Sequence, residues 1–287
     1  MISRNVFLNC LLTAAVMLTT SALAADAPQN LDALVLKSGL QKQIDQLPEV
    51  VKASFDDRAG QDARITPEEA GKIRLIITEA FNPAVLLESI KAHINSNMSA
   101  EDIDAVLKWL DSDIGQKITK AEEDASSAEA YSQLMEFAMR LEANPPEPAR
   151  AELIGRLDQA ARMTEFSTGM KIDMILAMAE AMASTAAKGD FNKADMVAQV
   201  ESSRGQIQQA SAQEVLVSAL FTYRPISDDE IQKYIDFYNS DAGKKYADVV
   251  TRGLLNALES SSKLMGEKLG VMINEVKESA APAPVAQ

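Results

Sequence analysis

The sequence predicts an all-helical protein made of two tandem helical-bundle-like units of about five helices each, packed together. Three observations carry that prediction. Helix start signals recur along the chain, and no run alternates apolar and polar residues between turn formers as a half-buried strand does. Aromatic residues make up only 5% of the chain, which is rich instead in Ala, Leu, Met, Glu, Gln and Lys, all good helix formers. A motif in the first half returns in the second.

The chain opens on an address. Arg4 supplies a positive start, Val6 to Leu18 form a mostly apolar stretch, and Ala22-Leu23-Ala24 places small residues where a signal peptidase cuts. Residues 1–24 therefore read as a secretory signal peptide, with Ala25 beginning a periplasmic mature chain. The apolar stretch is shorter than the roughly 20 residues a spanning helix needs, and no comparable run follows. Cys10, the only cysteine, leaves with the signal peptide, so the mature chain has no disulfide, thiol nucleophile or thiolate ligand.

The helices begin at recognisable caps. Thr66-Pro67-Glu68-Glu69 combines an N-cap Thr, a Pro at the first helical position and a Glu that completes a capping box. Asn82-Pro83 restarts the chain in the same way. Ser99-Ala100-Glu101-Asp102 and Ser227-Asp228-Asp229-Glu230 open two more helices, with acids at the positive helix end. Asn144-Pro145-Pro146-Glu147-Pro148 cannot continue a helix, because proline lacks the amide donor. The expected organisation is repeat 1 over 26–143, a Pro-rich linker over 144–150, repeat 2 over 151–279 and a disordered tail over 280–287.

Setting Ser227 on Ser99 aligns 98–121 with 226–249 without a gap. Ser112 then matches Ser240, Gly115 matches Gly243, Lys117 matches Lys245, and Trp109 falls on Phe237. Upstream, Ser38-Gly39 pairs with Thr168-Gly169 at a slightly different offset. Self-similarity of this kind marks a duplicated supersecondary unit. Each copy reads as a tight helix–corner–helix: a capped helix ends on an aromatic residue, a serine starts the next helix at once, and a glycine in its first turn admits the aromatic pair Phe237–Tyr238 closely.

The second copy, with Ser227, Glu230, Phe237, Tyr238, Ser240, Gly243 and Lys245, resembles the signature of the domain-of-unknown-function 2059 family. The first copy departs from it, with Trp109-Leu110 in place of Phe-Tyr. The resemblance implies an all-helical fold in an exported bacterial protein and brings no reaction, ligand or catalytic residue.

Chemistry-bearing constellations are sparse. The net charge of −14, one unit more negative once Arg4 is removed, disfavours nucleic acid and anionic lipid as partners. His93 is the only histidine and has no acid on its helix face to form a triad or di-metal motif. Asp111, Asp113 and Glu122 have the spacing of calcium-loop acids, but Gly115 stands where an oxygen ligand belongs, and calcium is rejected. Met163, Met170, Met174, Met178 and Met182 form a stripe; the last four make either core filling or an adaptable partner groove. No metal or other cofactor is expected. The functional expectation is a non-enzymatic module of the cell envelope that binds a protein or peptide. The alternatives are a carboxylate-dependent hydrolase or lyase acting on an envelope polymer, and a carrier of apolar small ligands.

Overall fold

A computed structural model describes residues 27–59, 65–126, 128–185 and 193–280. The expected signal peptide and residues 281–287 of the expected tail lie outside them. The described residues form an all-α fold of twelve helices and no strand.

The Pro-rich break separates α1 to α7 from α8 to α12. Before it come α1 (Ala27–Lys37), α2 (Leu40–Ala59), α3 (Pro67–Ala80), α4 (Pro83–Asn97), α5 (Ala100–Leu110), α6 (Asp113–Ala125) and α7 (Ala128–Ala143). After it come α8 (Pro148–Ala161), α9 (Met163–Thr185), α10 (Lys193–Thr222), α11 (Asp228–Asn239) and α12 (Asp241–Ala280). Pro148 is the first residue of α8, so the break covers only 144–147. The count of five helices holds after the break but not before it. There, Asn82-Pro83 interrupts the chain between α3 and α4, and α7 is added as a connecting helix.

The caps form as the sequence dictates. Thr66, Ser99 and Ser227 each accept a hydrogen bond from the N3 amide while the N3 acid bonds back to the cap, and Asn82 caps α4 alone. Each such cap stabilises its helix by about 1 kcal/mol.

The two sides of the break do not keep separate cores. Leu34, Ile44, Ile90 and Val106 from the first side belong to the same buried cluster as Ile154, Leu157, Ile231 and Leu254 from the second. The reason is α12. At 40 residues it is about 60 Å long, and it packs along α9 while also crossing α3, α4 and α5. No helix among the described residues is long and apolar enough to cross a membrane.

The upstream pairing of Ser38-Gly39 with Thr168-Gly169 does not hold in three dimensions. Gly39 is the left-handed residue between α1 and α2 (φ 69°), whereas Gly169 lies inside α9 against Leu255. The residue that turns the chain after α8, as Gly39 does after α1, is Arg162 (φ 59°).

Candidate functional site

The two corners named by the sequence share one hydrogen-bond scheme. Ser112 Oγ donates to the Trp109 carbonyl at 2.6 Å and accepts from the Gly115 amide at 3.0 Å. Ser240 Oγ donates to the Phe237 carbonyl at 2.6 Å and accepts from the Gly243 amide at 3.1 Å. One serine thus closes a helix and caps the next. The glycines serve this turn in a way the sequence did not indicate. A Cβ on Gly115 or Gly243 would collide with the backbone carbonyl oxygen of Trp109 or Phe237, not with an aromatic ring.

The corners also meet each other. Trp109 stacks on Phe237, with centroids 4.8 Å apart and planes 6° from parallel. Lys117 of the first corner binds Glu230 at 2.7 Å, and Lys245 of the second binds Asp102 at 2.6 Å. These are matched positions contacting reciprocally, the pattern of a two-fold interface. Each acid is also the N3 member of a capping box. Lys245, then Ser99, hold Asp102 down at about 2, and Lys117, then Ser227, do the same for Glu230. Both acids are therefore charged in the folded protein throughout the range above their ordinary values. What they contribute is lost as pH falls toward 2, and it is small because the pairs are near the surface.

Behind the clasps lies a buried polar cluster that the sequence reading missed. The Glu122 carboxylate of α6 accepts from the Tyr223 hydroxyl at 2.6 Å and the Tyr234 hydroxyl at 3.2 Å. The Tyr234 and Tyr238 hydroxyls are 3.1 Å apart. Burial, more than any neighbour, raises the pKa values of Tyr234 and Tyr238 and pushes that of Tyr246 up to about 12. At the matched positions of the other corner stand Val106, Leu110 and Ile118 in place of the tyrosines, and Val250 in place of Glu122. That difference was the visible signal: the acid comes from before the Pro-rich break and the hydroxyls from after it.

Beside the second corner opens a cleft of about 590 Å³. Its walls are the end of α8 with Gln159 and Arg162, the end of α11 with Asn239, and the start of α12 with Asp241, Lys244, Lys245 and Asp248. Tyr238 lies at its base. Arg162 holds the left-handed conformation, which costs a residue with a Cβ roughly 1–2 kcal/mol. Its guanidinium is fixed by Glu165 at 2.9 Å and Asp248 at 3.3 Å. The turn is braced from inside by Asp158, which accepts from the Thr164 amide at 2.7 Å and hydroxyl at 2.6 Å.

The remaining candidates fall elsewhere. Met170 is buried in the main core, Met163 packs against it and Met174 is half-buried, so the start of the stripe serves as core filling. The side chains of Met178 and Met182 lie outside the described residues. His93 is half-buried, and its ring packs where Gly253 of α12 leaves space. Asp111 is bound by Lys37 of α1 at 2.6 Å, while Glu122 turns to the tyrosines. Comparison with protein-family models, with curated proteins and with solved structures found no match.

Proposed function

We propose that the protein is an exported, non-enzymatic helical protein of the cell envelope that binds a protein or peptide segment in the cleft beside its second corner. The composition of that cleft is the observation that carries the reading. Lys244, Asp241, Gln159 and Asn239 stand there beside the paired Arg162, Asp248 and Lys245, so carboxylates, amines and amides of a peptide meet a partner of matching chemistry. An open cleft ringed by charged and amide side chains suits a peptide better than an apolar small ligand.

We also infer that the two corners are copies of one unit related by an internal two-fold. The reciprocal clasps and the stacked Trp109–Phe237 pair support this. The carboxylate-dependent hydrolase has less support. Asp173, the aspartate raised to about 6, sits on the seam between α9 and α12, away from the cleft residues.

A photo-crosslinking residue at Lys244 or Gln159 tests the proposal in cells. Discrete adducts from both positions, absent from the exposed control Val85 on α4, are expected. Equal labelling at all three positions, or adducts at none, overturns the cleft as a binding surface.

A further inference from the structure

Helices α9 and α12 run side by side, and one close contact marks their register. Gly169 of α9 lies against Leu255 of α12, where even a methyl group would meet the leucine side chain. One turn further along each helix stand Asp173 and Glu259, on the faces that carry Gly169 and Leu255. Ile172 of α9 and Leu258 of α12 are both buried nearby in sequence, as are Ser261 and Ser262. Asp173 is half-buried and Glu259 sits at the exposed edge of the seam.

We propose that this seam carries a proton-operated latch: Asp173 and Glu259 oppose each other as two negative charges near neutral pH, and protonation of Asp173 in mild acid removes the repulsion and tightens α9 against α12.

The surroundings of Asp173 support that assignment. Burial first, then Glu259, raise the Asp173 carboxyl to about 6, and Arg204 of α10 opposes the shift. Arg204 is itself engaged by Glu201 at 2.8 Å. On the α10 side, Lys171 is held by Glu214 at 2.6 Å and by Ser211. On α12, Lys263 stands a turn beyond Glu259. From α8, Asp158 meets α9 at Thr164, near the start of the helix. The sign follows from proton counting. With the folded value above the ordinary one, the native state binds more protons than the unfolded state between pH 4 and 6 or so. Stability of the seam therefore falls as pH rises through that window and returns on acidification.

Amide hydrogen exchange on the full mature chain reads this directly, once rates are corrected for intrinsic exchange. Protection of peptides covering 169–177 and 255–262 should rise about tenfold from pH 7 to pH 5, less than the roughly hundredfold of a fully buried group with a two-unit shift. Peptides from α5 and α11 should not change, since Asp102 and Glu230 stay ionised across that range. Asp173→Asn should hold the high protection at both pH values, and Glu259→Gln should weaken the pH dependence without abolishing it. An identical pH response in the parent and both variants would overturn the latch, as would protection that falls on acidification.

Discussion

Gly243→Ala and Gly115→Ala should each destabilise the protein by about 1–3 kcal/mol, the cost of overpacking a closed contact. The neighbour in each case is a backbone carbonyl oxygen, which cannot swing aside as a side chain can. That carbonyl already accepts from the corner serine, so displacing it also strains the cap of α6 or α12. Gly71 and Gly155 provide the contrast, because a Cβ at either helical position meets nothing. Alanine there should stabilise by about 0.4–1 kcal/mol through the unfolded chain. Urea denaturation of the four variants decides the matter by sign alone. Stabilisation at all four would show that the corner glycines are not contact residues.

Glu122→Val should have a larger effect, about 3–5 kcal/mol. It places at one corner the residue found at the matched position of the other, yet it removes the acceptor shared by Tyr223 and Tyr234. Two buried hydroxyls then lose an acceptor in a site closed to water, Tyr234 keeping only its contact with Tyr238, and each buried bond lost in this way costs about 1–3 kcal/mol. Glu122→Gln, which keeps an acceptor oxygen, should lose much less. Tyr234→Phe removes a donor and leaves the Glu122–Tyr223 bond in place, so its cost should fall near 1 kcal/mol. Thermal melts of the three variants should rank in that order. A Val variant as stable as the parent would show that the cluster contributes nothing to joining the two sides.

What the sequence revealed follows the range of each interaction. The caps at Thr66, Asn82, Ser99 and Ser227 were legible because cap and partner lie within three residues. The corner serines and glycines were legible as a pattern for the same reason. Their purpose was not, since the clash that forbids a Cβ depends on the angle at which two helices meet. Arg162 hid the turn after α8, for a left-handed residue is sought as glycine. The clasps join residues more than 110 positions apart, as Lys117 and Glu230 are, and nothing local announces them. The methionine stripe stayed ambiguous in the sequence because a four-residue step of apolar side chains reads the same whether it lines a groove or fills a core. Only the packing of α9 between α10 and α12 placed Met170 inside. Asp173 and Glu259 were two acids among 42 until the register of α9 on α12 brought them together.

The described residues form one body, its two sides joined by reciprocal clasps, a shared core and a tyrosine–carboxylate cluster. Scanning calorimetry of the mature chain at neutral pH tests this most directly. One transition is predicted, with the calorimetric enthalpy equal to the van't Hoff enthalpy. Two resolved transitions, or a calorimetric enthalpy well above the van't Hoff value, would mean that the sides on either side of 144–147 unfold independently, and would contradict the account.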